Sequence, residues 1–190
     1  MTRPELYFPR DVDFYDWLLA NHDQHPKGVY IILFKIENPE SSMRWEEAVK
    51  VALCFGWIDS TVKSLGNGKR KQLFTIRNPK STWSALNKKY IITLEAANLI
   101  QEPGWASINL AKKTGTWTLM DGPEKRIIPP ILQTAFDKNS DAFDFYNSLT
   151  PGYQKSHLRW LATAKTHATI LKRVAAIITM CVEKKKGRGW

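Results

Sequence analysis

A chain of 190 residues with 43% hydrophobic and 12% aromatic side chains is large enough for one well-packed globular domain and a small appended subdomain. It has no run of about 18 apolar residues, and no apolar segment precedes the first acidic residues, so we expect neither a membrane span nor export and predict a cytoplasmic protein. The two cysteines, Cys54 and Cys181, lie far apart in helical patterns, which is typical of buried thiols rather than of a disulfide.

The net charge of +10 is distributed unevenly along the chain. Residues 1–59 carry 6 basic and 10 acidic side chains, a net charge of −4, whereas residues 60–100 carry 8 and 1, a net charge of +7. Residues 101–190 carry 14 and 7, again +7, and the chain ends in KKKGRGW. This pattern is typical of a solvated helix face with a frayed tail, and the alternative is a surface that binds polyanions.

The first elements predict strands and helices in alternation. ELYF reads as a short edge strand, and residues 12–20 follow as a helix with Phe14 and Leu18 on one side. GVYIILFKI is apolar and rich in β-branched and aromatic residues, so we expect a central strand. The next helix has Ser42 as its candidate cap and ends at Gly56, which can adopt a left-handed conformation.

A β-hairpin is predicted directly after this helix. Residues 57–63 and 71–77 read as strands around GNG, a turn sequence that tolerates positive φ. A register centred on this turn sets Ile58 opposite Ile76 on a buried apolar face. The other face would carry Trp57, Asp59 and Arg77, with the Asp59 carboxylate within ion-pair reach of the guanidinium.

A long helix follows in NPKSTWSALNKKYIITLEAANLI, with Ser81 or Ser84 as its cap. Trp83 and Asn87 are four residues apart, so both are predicted to project over the polar face of the hairpin. After a helix near residues 105–113, DGPEKRIIPP marks a boundary, and residues 130–185 read as helices. The last of these is predicted to bury a stripe that includes Leu171 and Ile178.

The predicted fold class is therefore α+β, with a small β-sheet and its hairpin packed against helices, followed by a C-terminal helical bundle. We predict an α+β domain over residues 1–122 and a helical region over residues 123–190.

The pair Asp59 and Arg77 has two interpretations. It is either a partly buried ion pair that fixes the hairpin, or part of a pocket in which Arg77 offers an anion site beside Trp57 and Trp83. A permanently charged neighbour lowers the pKa of a carboxylate, which disfavours Asp59 as a general acid. No metal or cofactor is predicted, because His22 and His25 have no third ligand at a suitable spacing.

The succession ALCFGWIDS, FTIRNPKSTWSALNKKY, IPPILQTAF and WLATAKTHATILKR resembles the YdeI/OmpD-associated family of bacteriocin-protection proteins over nearly the whole chain. The resemblance implies an α+β part, a helical OmpD-associated region and a role in resistance to envelope or antimicrobial-peptide stress, with no established reaction. Two positions differ from the family pattern, since Ile76 replaces a proline and Ile170 an arginine. The residues that match the family motifs are Trp57, Asp59, Arg77, Ser81, Trp83, Ser84 and Asn87, then Trp160, Ala164, Lys165, Thr169 and Arg173.

The favoured function is thus a bacterial stress-resistance protein that binds an anionic ligand or a partner through the hairpin and the long helix. An enzyme acting on an anionic small molecule in the same pocket is the second interpretation. A nucleic-acid-binding protein is the third, because basic residues and aromatic residues alternate around the hairpin. The basic residues concerned are Lys63, Lys71, Arg77, Lys80, Lys88 and Lys89.

Overall fold

The computed structural model describes residues 3–40 and 42–186. It divides the chain into two compact units, Met1–Trp117 and Thr118–Trp190. The first unit combines a sheet with helices and the second is built from helices, so the predicted α+β class is confirmed. Whether each unit folds as an independent domain, with limits at 1–122 and 123–190, stays a prediction.

Within the described residues, the first unit contains a four-stranded sheet in the order β1-β2-β4-β3. The strands are β1 (Glu5–Tyr7), β2 (Val29–Phe34), β3 (Trp57–Gly66) and β4 (Lys69–Ile76). β1 runs parallel to β2, and the other neighbours are antiparallel. β2 lies inside the sheet, as its apolar sequence predicts, because a strand buried on one face and paired on both edges favours β-branched and aromatic side chains.

Helices of the first unit contribute to one hydrophobic core with the sheet. They are α1 (Asp11–Asn21), α2 (Trp45–Cys54), α3 (Ala85–Ala96) and α4 (Glu102–Thr114). Phe14 and Leu18 of α1 are fully buried, as the sequence predicts, and they share the core with Phe74 of β4 and Ile108 of α4. A single core explains why these four helices and the sheet form one unit.

The second unit has a hydrophobic core of its own. Its helices are α5 (Asp121–Glu124), α6 (Pro130–Asp137), α7 (Ser140–Ser148), α8 (Pro151–Ala162) and α9 (His167–Val182). The stripe predicted for the last helix is wrong at Leu171, which is exposed, because α9 buries Val174, Ile177 and Cys181 instead. Among the described residues, no helix combines the length and apolarity that a membrane span requires.

The end of α2 follows the sequence closely, whereas its start does not. Gly56 has φ +69°, as predicted for a left-handed helix stop. The helix begins at Trp45 rather than after Ser42, and the Ser42 hydroxyl instead accepts a hydrogen bond from the backbone N–H of Phe34 at 2.9 Å. A buried serine therefore ties the loop before α2 to the end of β2.

The predicted hairpin register is correct in the middle of the hairpin and wrong at both ends, since Gly66 rather than Leu65 faces Lys69 at the turn. Val62 faces Gln72 and Lys63 faces Lys71, but a bulge between Asp59 and Val62 shifts the pairing by one residue. Trp57 therefore faces Ile76, which is 45% exposed instead of buried beside Ile58. A one-residue shift inverts which side chains share a face, so the face assignment also changes.

The turn at Gly56 generates the first testable prediction. A Cβ on this residue would lie 2.7 Å from the carbonyl oxygen of Pro103, in addition to the strain of a positive φ. Gly56→Ala should therefore reduce the free energy of unfolding by about 3 kcal/mol. Gly115→Ala is the matched control, because Gly115 has φ +77° with open space around it, and we expect about 1 kcal/mol there. Equal losses in urea denaturation would contradict the close approach at Gly56.

The residues that follow α9 are hydrogen-bonded to other residues of the second unit. Lys184 has φ +56°, and the N–H of Lys185 donates to the carbonyl of Met180 at 2.8 Å, which closes the end of the helix. The buried His157 ring lies 3.2 Å from the carbonyl oxygen of Lys186 through Nε2. The frayed tail predicted for KKKGRGW is therefore not observed at Lys184 to Lys186, and residues 187–190 lie outside the described part of the chain.

This arrangement predicts that Lys184 to Lys186 stabilise the second unit. A chain ending at Glu183 should have a free energy of unfolding about 1 to 2 kcal/mol below that of a chain ending at Lys186, because it loses the cap and the contact with His157. Thermal denaturation of the two chains measures the difference. Identical melting temperatures would show that the segment contributes nothing.

Candidate functional site

The guanidinium of Arg77 is buried with part of its hydrogen-bonding capacity unused. Arg77 is 7% exposed, its Nη2 donates to the carbonyl of Thr82, and its Cζ lies 3.8 Å from the ring centroid of Trp83. Among the described residues, Nε and Nη1 have no hydrogen-bond partner. Burial lowers the pKa of Arg77 to about 10, and the charge of Asp59 acts in the opposite direction. The side chain therefore remains a cation at neutral pH.

Asp59 does not form the predicted ion pair with Arg77. One of its carboxylate oxygens, Oδ2, accepts hydrogen bonds from Nε1 of Trp45 at 2.8 Å and from Nε2 of Gln72 at 3.2 Å. The bulge in β3 places Asp59 opposite Phe74, whereas Arg77 lies one residue beyond the last pair of the ladder. The carboxylate thus joins α2 to the hairpin and leaves Arg77 without a hydrogen-bonded counter-ion.

A cavity of about 310 Å³ lies beside Arg77. Its walls come from the segment after α1, the turn between α2 and β3, the segment after β4, and α4. Most of them are apolar, and Arg77 is the cationic side chain among them. The lining residues are His22, Asp23, Phe55, Gly56, Trp57, Ile76, Arg77, Asn78, Pro79, Trp83, Pro103, Ala106, Ser107, Leu110 and Ala111.

Backbone contacts hold the walls of this cavity in place. The carbonyl of Gly56 accepts a hydrogen bond from the N–H of Arg77 at 2.9 Å, which sets the end of β4 against the turn. Trp57 is fully buried, and its Nε1 donates to the carbonyl of His22 at 3.0 Å. The three predicted residues Trp57, Arg77 and Trp83 are therefore brought together around one cavity.

Sequence reasoning missed the contribution of α4 to this site. Small residues on this helix, Gly104, Ala106, Ser107 and Ala111, let it approach the turn closely. A Cβ on Gly104 would lie 2.3 Å from the carbonyl oxygen of Cys54, so the glycine is required for that approach. The spacing of small residues in PGWASINLA was the available signal, and it indicates a close helix contact rather than a specific partner.

The remaining predicted residues of the first unit do not line the cavity. Ser84 is the N-cap of α3, as predicted, and its hydroxyl accepts from the N–H of Asn87 at 3.1 Å. Ser81 donates to the carbonyl of Asn78 at 2.7 Å. Because α3 begins at Ala85, Trp83 precedes the helix, and the predicted helical alignment of Trp83 with Asn87 is wrong. Ser81 and Ser84 hold the segment that positions Trp83 and the Thr82 carbonyl.

The C-terminal candidates connect α8 to α9 in the second unit. Nη1 of Arg173 donates to the carbonyl of Trp160 and, at 2.9 Å, to the hydroxyl of Thr163, while the guanidinium lies 5.1 Å from the Trp160 ring centroid. Thr169 donates its N–H to the hydroxyl of Thr166, the N-cap of α9. Lys165 is exposed in the loop between the helices. The guanidinium of Arg173 thus donates its hydrogen bonds to groups of the protein, Trp160 and Thr163.

The two loop histidines contact protein groups. His22 lies 3.2 Å from the carbonyl oxygen of Leu18 through Nδ1, and the ring of His25 stacks on Trp17 at a centroid distance of 5.2 Å. Across residues 3–40 and 42–186, no three histidine, cysteine, aspartate or glutamate side chains are grouped as a metal site would need. The thiols are buried, which raises the pKa of Cys54 to about 12 and that of Cys181 to about 11.

Two substitutions at Asp59 distinguish the contribution of its hydrogen bonds to stability from the contribution of its negative charge. In Asp59→Asn the amide oxygen can still accept from Trp45 and Gln72, so the loss of unfolding free energy should stay below about 1 kcal/mol. In Asp59→Ala the indole N–H of Trp45 loses its acceptor, and the loss should reach about 2 kcal/mol. Urea denaturation of both variants measures this. A loss in Asp59→Asn as large as in Asp59→Ala would show that the charge, rather than the hydrogen bonds, is what matters.

Two family descriptions match different parts of the chain. Residues 125–184 match the family described as Bacteriocin-protection, YdeI or OmpD-Associated, so the resemblance drawn from the sequence is confirmed for this part. Residues 6–107, which contain the cavity except for part of α4, match a domain of unknown function, DUF8412. A search of curated proteins and a search of solved structures found no match. The chain therefore belongs to the family of the domain of unknown function DUF8412, and it carries a C-terminal region that matches the YdeI or OmpD-Associated family.

Proposed function

We propose that the first unit binds a small, mostly apolar monoanion, such as a carboxylate, in the cavity beside Arg77. The single observation that carries this proposal is a buried guanidinium with two nitrogen atoms that lack partners, in the wall of an apolar cavity. A buried cation without a hydrogen-bonded counter-ion reduces stability, so a ligand that supplies the negative charge has a clear energetic role.

The dimensions and charges of the cavity support this class of ligand. A volume of about 310 Å³ is at the lower end of the range for small-molecule sites. Aromatic side chains of Phe55, Trp57 and Trp83 favour an apolar body, and Arg77 favours an acidic group. Asp23 lies at the same cavity and is exposed, which disfavours ligands with several negative charges.

The alternative of an enzyme acting on such an anion has less support. The cavity lining includes His22, Asp23 and Ser107, which are residue types used for proton transfer or nucleophilic attack. Among the described residues, however, no hydrogen bond joins any two of these three side chains. Activated nucleophiles and general bases are normally coupled in this way, so binding is the better-supported function.

At the cellular level we propose a contribution to protection of bacteria against bacteriocins, in keeping with the family description that matches residues 125–184. Direct capture of cationic peptides is the least favourable form of this role. A protein with a net charge of +10 repels cationic peptides at long range. The net charge of +10 is instead consistent with binding of an anionic molecule that is present during bacteriocin stress.

The test is a ligand-observed NMR screen in which small carboxylates, including benzoate and hexanoate, are paired with their neutral amides. Carboxylates should bind, and their amides should bind at least about tenfold more weakly, because only the carboxylate supplies a negative counter-charge to the Arg77 guanidinium. Arg77→Met should abolish this binding. Hits that do not distinguish acid from amide, or a panel without any carboxylate hit at millimolar concentration, would contradict the proposal.

The same variant carries a stability prediction that separates binding from folding. Burial of the charged group lowers its pKa from the ordinary arginine value to about 10, so below that pH the native state bears a cost of about 3 kcal/mol that methionine removes. The lost hydrogen bond and stacking on Trp83 oppose this by a similar or smaller amount. Without ligand, the melting temperature of Arg77→Met should therefore be unchanged or higher. Arg70→Met, at an exposed position, is the control and should keep carboxylate binding.

A further inference from the structure

We propose that the face of the sheet opposite the core binds single-stranded nucleic acid, with bases stacked on Tyr30 and Phe34 and phosphates near Lys63 and Lys69. This surface, called the open face below, is separate from the cavity at Arg77. It carries aromatic rings and ammonium groups together, which is the combination that single-stranded nucleic acids require. The proposal does not depend on the proposed carboxylate ligand.

The strand pairing defines which residues share the open face. Tyr7 pairs with Ile32 and Ile32 with Lys71, which pairs with Lys63, so one row of side chains crosses all four strands. The neighbouring rows place Tyr30 beside Leu73 and Phe34 beside Lys69. Because side chains alternate along a strand, these residues lie on the face opposite Val29, Ile31, Leu33 and Phe74 of the core.

The burial pattern supports an uncovered face. Ile32 and Leu73 are each 8% exposed, yet neither belongs to a core cluster of the described residues. Their neighbours shield them instead, since Tyr7 meets Phe34 edge-on at a centroid distance of 5.6 Å. Tyr7 is nevertheless 43% exposed. Such a surface is an apolar platform rimmed by charge rather than part of the core.

Lysines occupy the positions that a nucleic-acid strand would use. The Nζ of Lys71 lies 4.7 Å from the ring centroid of Tyr30, and the Nζ of Lys69 lies 5.5 Å from that of Phe34. Lys69 is exposed, and a cation–π contact at an exposed site is weaker than base stacking, so a base on Phe34 can displace this ammonium group towards a phosphate. The Lys71 side chain is 18% exposed, so stacking on Tyr30 requires the Lys71–Glu5 pair to move aside. Glu5 pairs with Lys71 on this face, whereas Lys63 and Lys69 are exposed.

A basic cleft lies at the end of the sheet near the β3–β4 turn, and its strand side chains Leu33, Val62, Ser64 and Arg70 belong to the other face. The cleft has a volume of about 720 Å³, and its lining includes Phe34 and Lys69 of the open face. Lys35, Arg44 and Arg70 add cations from both sides, against Glu37 as the acidic residue of the lining. The excess of positive charge at this end of the sheet attracts phosphates, because each phosphate carries a negative charge.

Single-stranded nucleic acid fits these features better than the duplex. Rings on a sheet stack only on unpaired bases, whereas a duplex would meet the lysines through its phosphates alone. Stacking is tolerant of sequence, because every base has a π-face, so we expect little sequence preference.

Fluorescence anisotropy with a labelled 15-nucleotide oligothymidylate, the same strand in a duplex, and a heparin fragment tests the proposal. The full chain should bind the single strand at least tenfold more tightly than the duplex, with an affinity that falls as salt rises. Phe34→Leu and Tyr30→Leu should each weaken binding of the single strand by about fivefold to a hundredfold. Lys69→Gln should reduce the slope of log K against log salt by about 0.7.

Matched controls keep the result interpretable. Tyr153→Leu removes an exposed tyrosine and Lys113→Gln an exposed lysine of other surfaces, and both should bind as the unchanged chain does. Far-UV circular dichroism and the melting temperature establish that the Phe34 and Tyr30 variants are folded. A folded Phe34→Leu variant with unchanged affinity would overturn the proposal.

Two further outcomes would also overturn it. Equal binding of the single strand, the duplex and the heparin fragment would show a general polyanion surface without base stacking. A dimer in native mass spectrometry that dissociates in Phe34→Leu would show that a second copy of the chain covers the open face.

Discussion

The first unit depends on a close backbone approach between the end of α2 and the start of α4. Gly104 allows it, because any side chain there would meet the carbonyl of Cys54, and that same carbonyl accepts the N–H of Gln101 at 2.9 Å. Gly56 lets the chain turn at once into β3 while its carbonyl receives the N–H of Arg77. Three elements from distant parts of the chain meet at this turn, and the cavity is what remains between their side chains.

Arg77 is a buried cation that reduces the stability of the fold at that turn. A guanidinium that stacks on Trp83 and gives one hydrogen bond to Thr82 is well positioned, but its burial lowers its pKa and leaves donors unused. An apolar residue would suit the surroundings better. Proteins commonly retain such unfavourable groups where they serve binding, and this is the reason for proposing a ligand at Arg77.

The sequence predicted features that local physics determines and missed those that distant contacts determine. The stop at Gly56, the cap at Ser84 and the central position of β2 follow from backbone conformation, capping and composition. The hydrogen-bond partners of Asp59 could not be predicted, because a bulge in β3 changes the strand register without a distinctive sequence signal. Among the site residues, Trp57, Arg77 and Trp83 were found as motif residues, whereas the wall from α4 depends on a tertiary approach that no periodicity encodes.

The bulge in β3 has a consequence for the solubility of the molecule. β3 lies at the edge of the sheet, and from Ser60 onward its residues are exposed. A straight edge strand of this length, with exposed Val62 and Leu65, would offer a template for intermolecular β-pairing and aggregation. The bulge bends the strand and interrupts its ladder, and the charge of Lys63 opposes the approach of another copy. The bulge that changes the partners of Asp59 thus also reduces the tendency of this edge strand to pair with another copy of the chain.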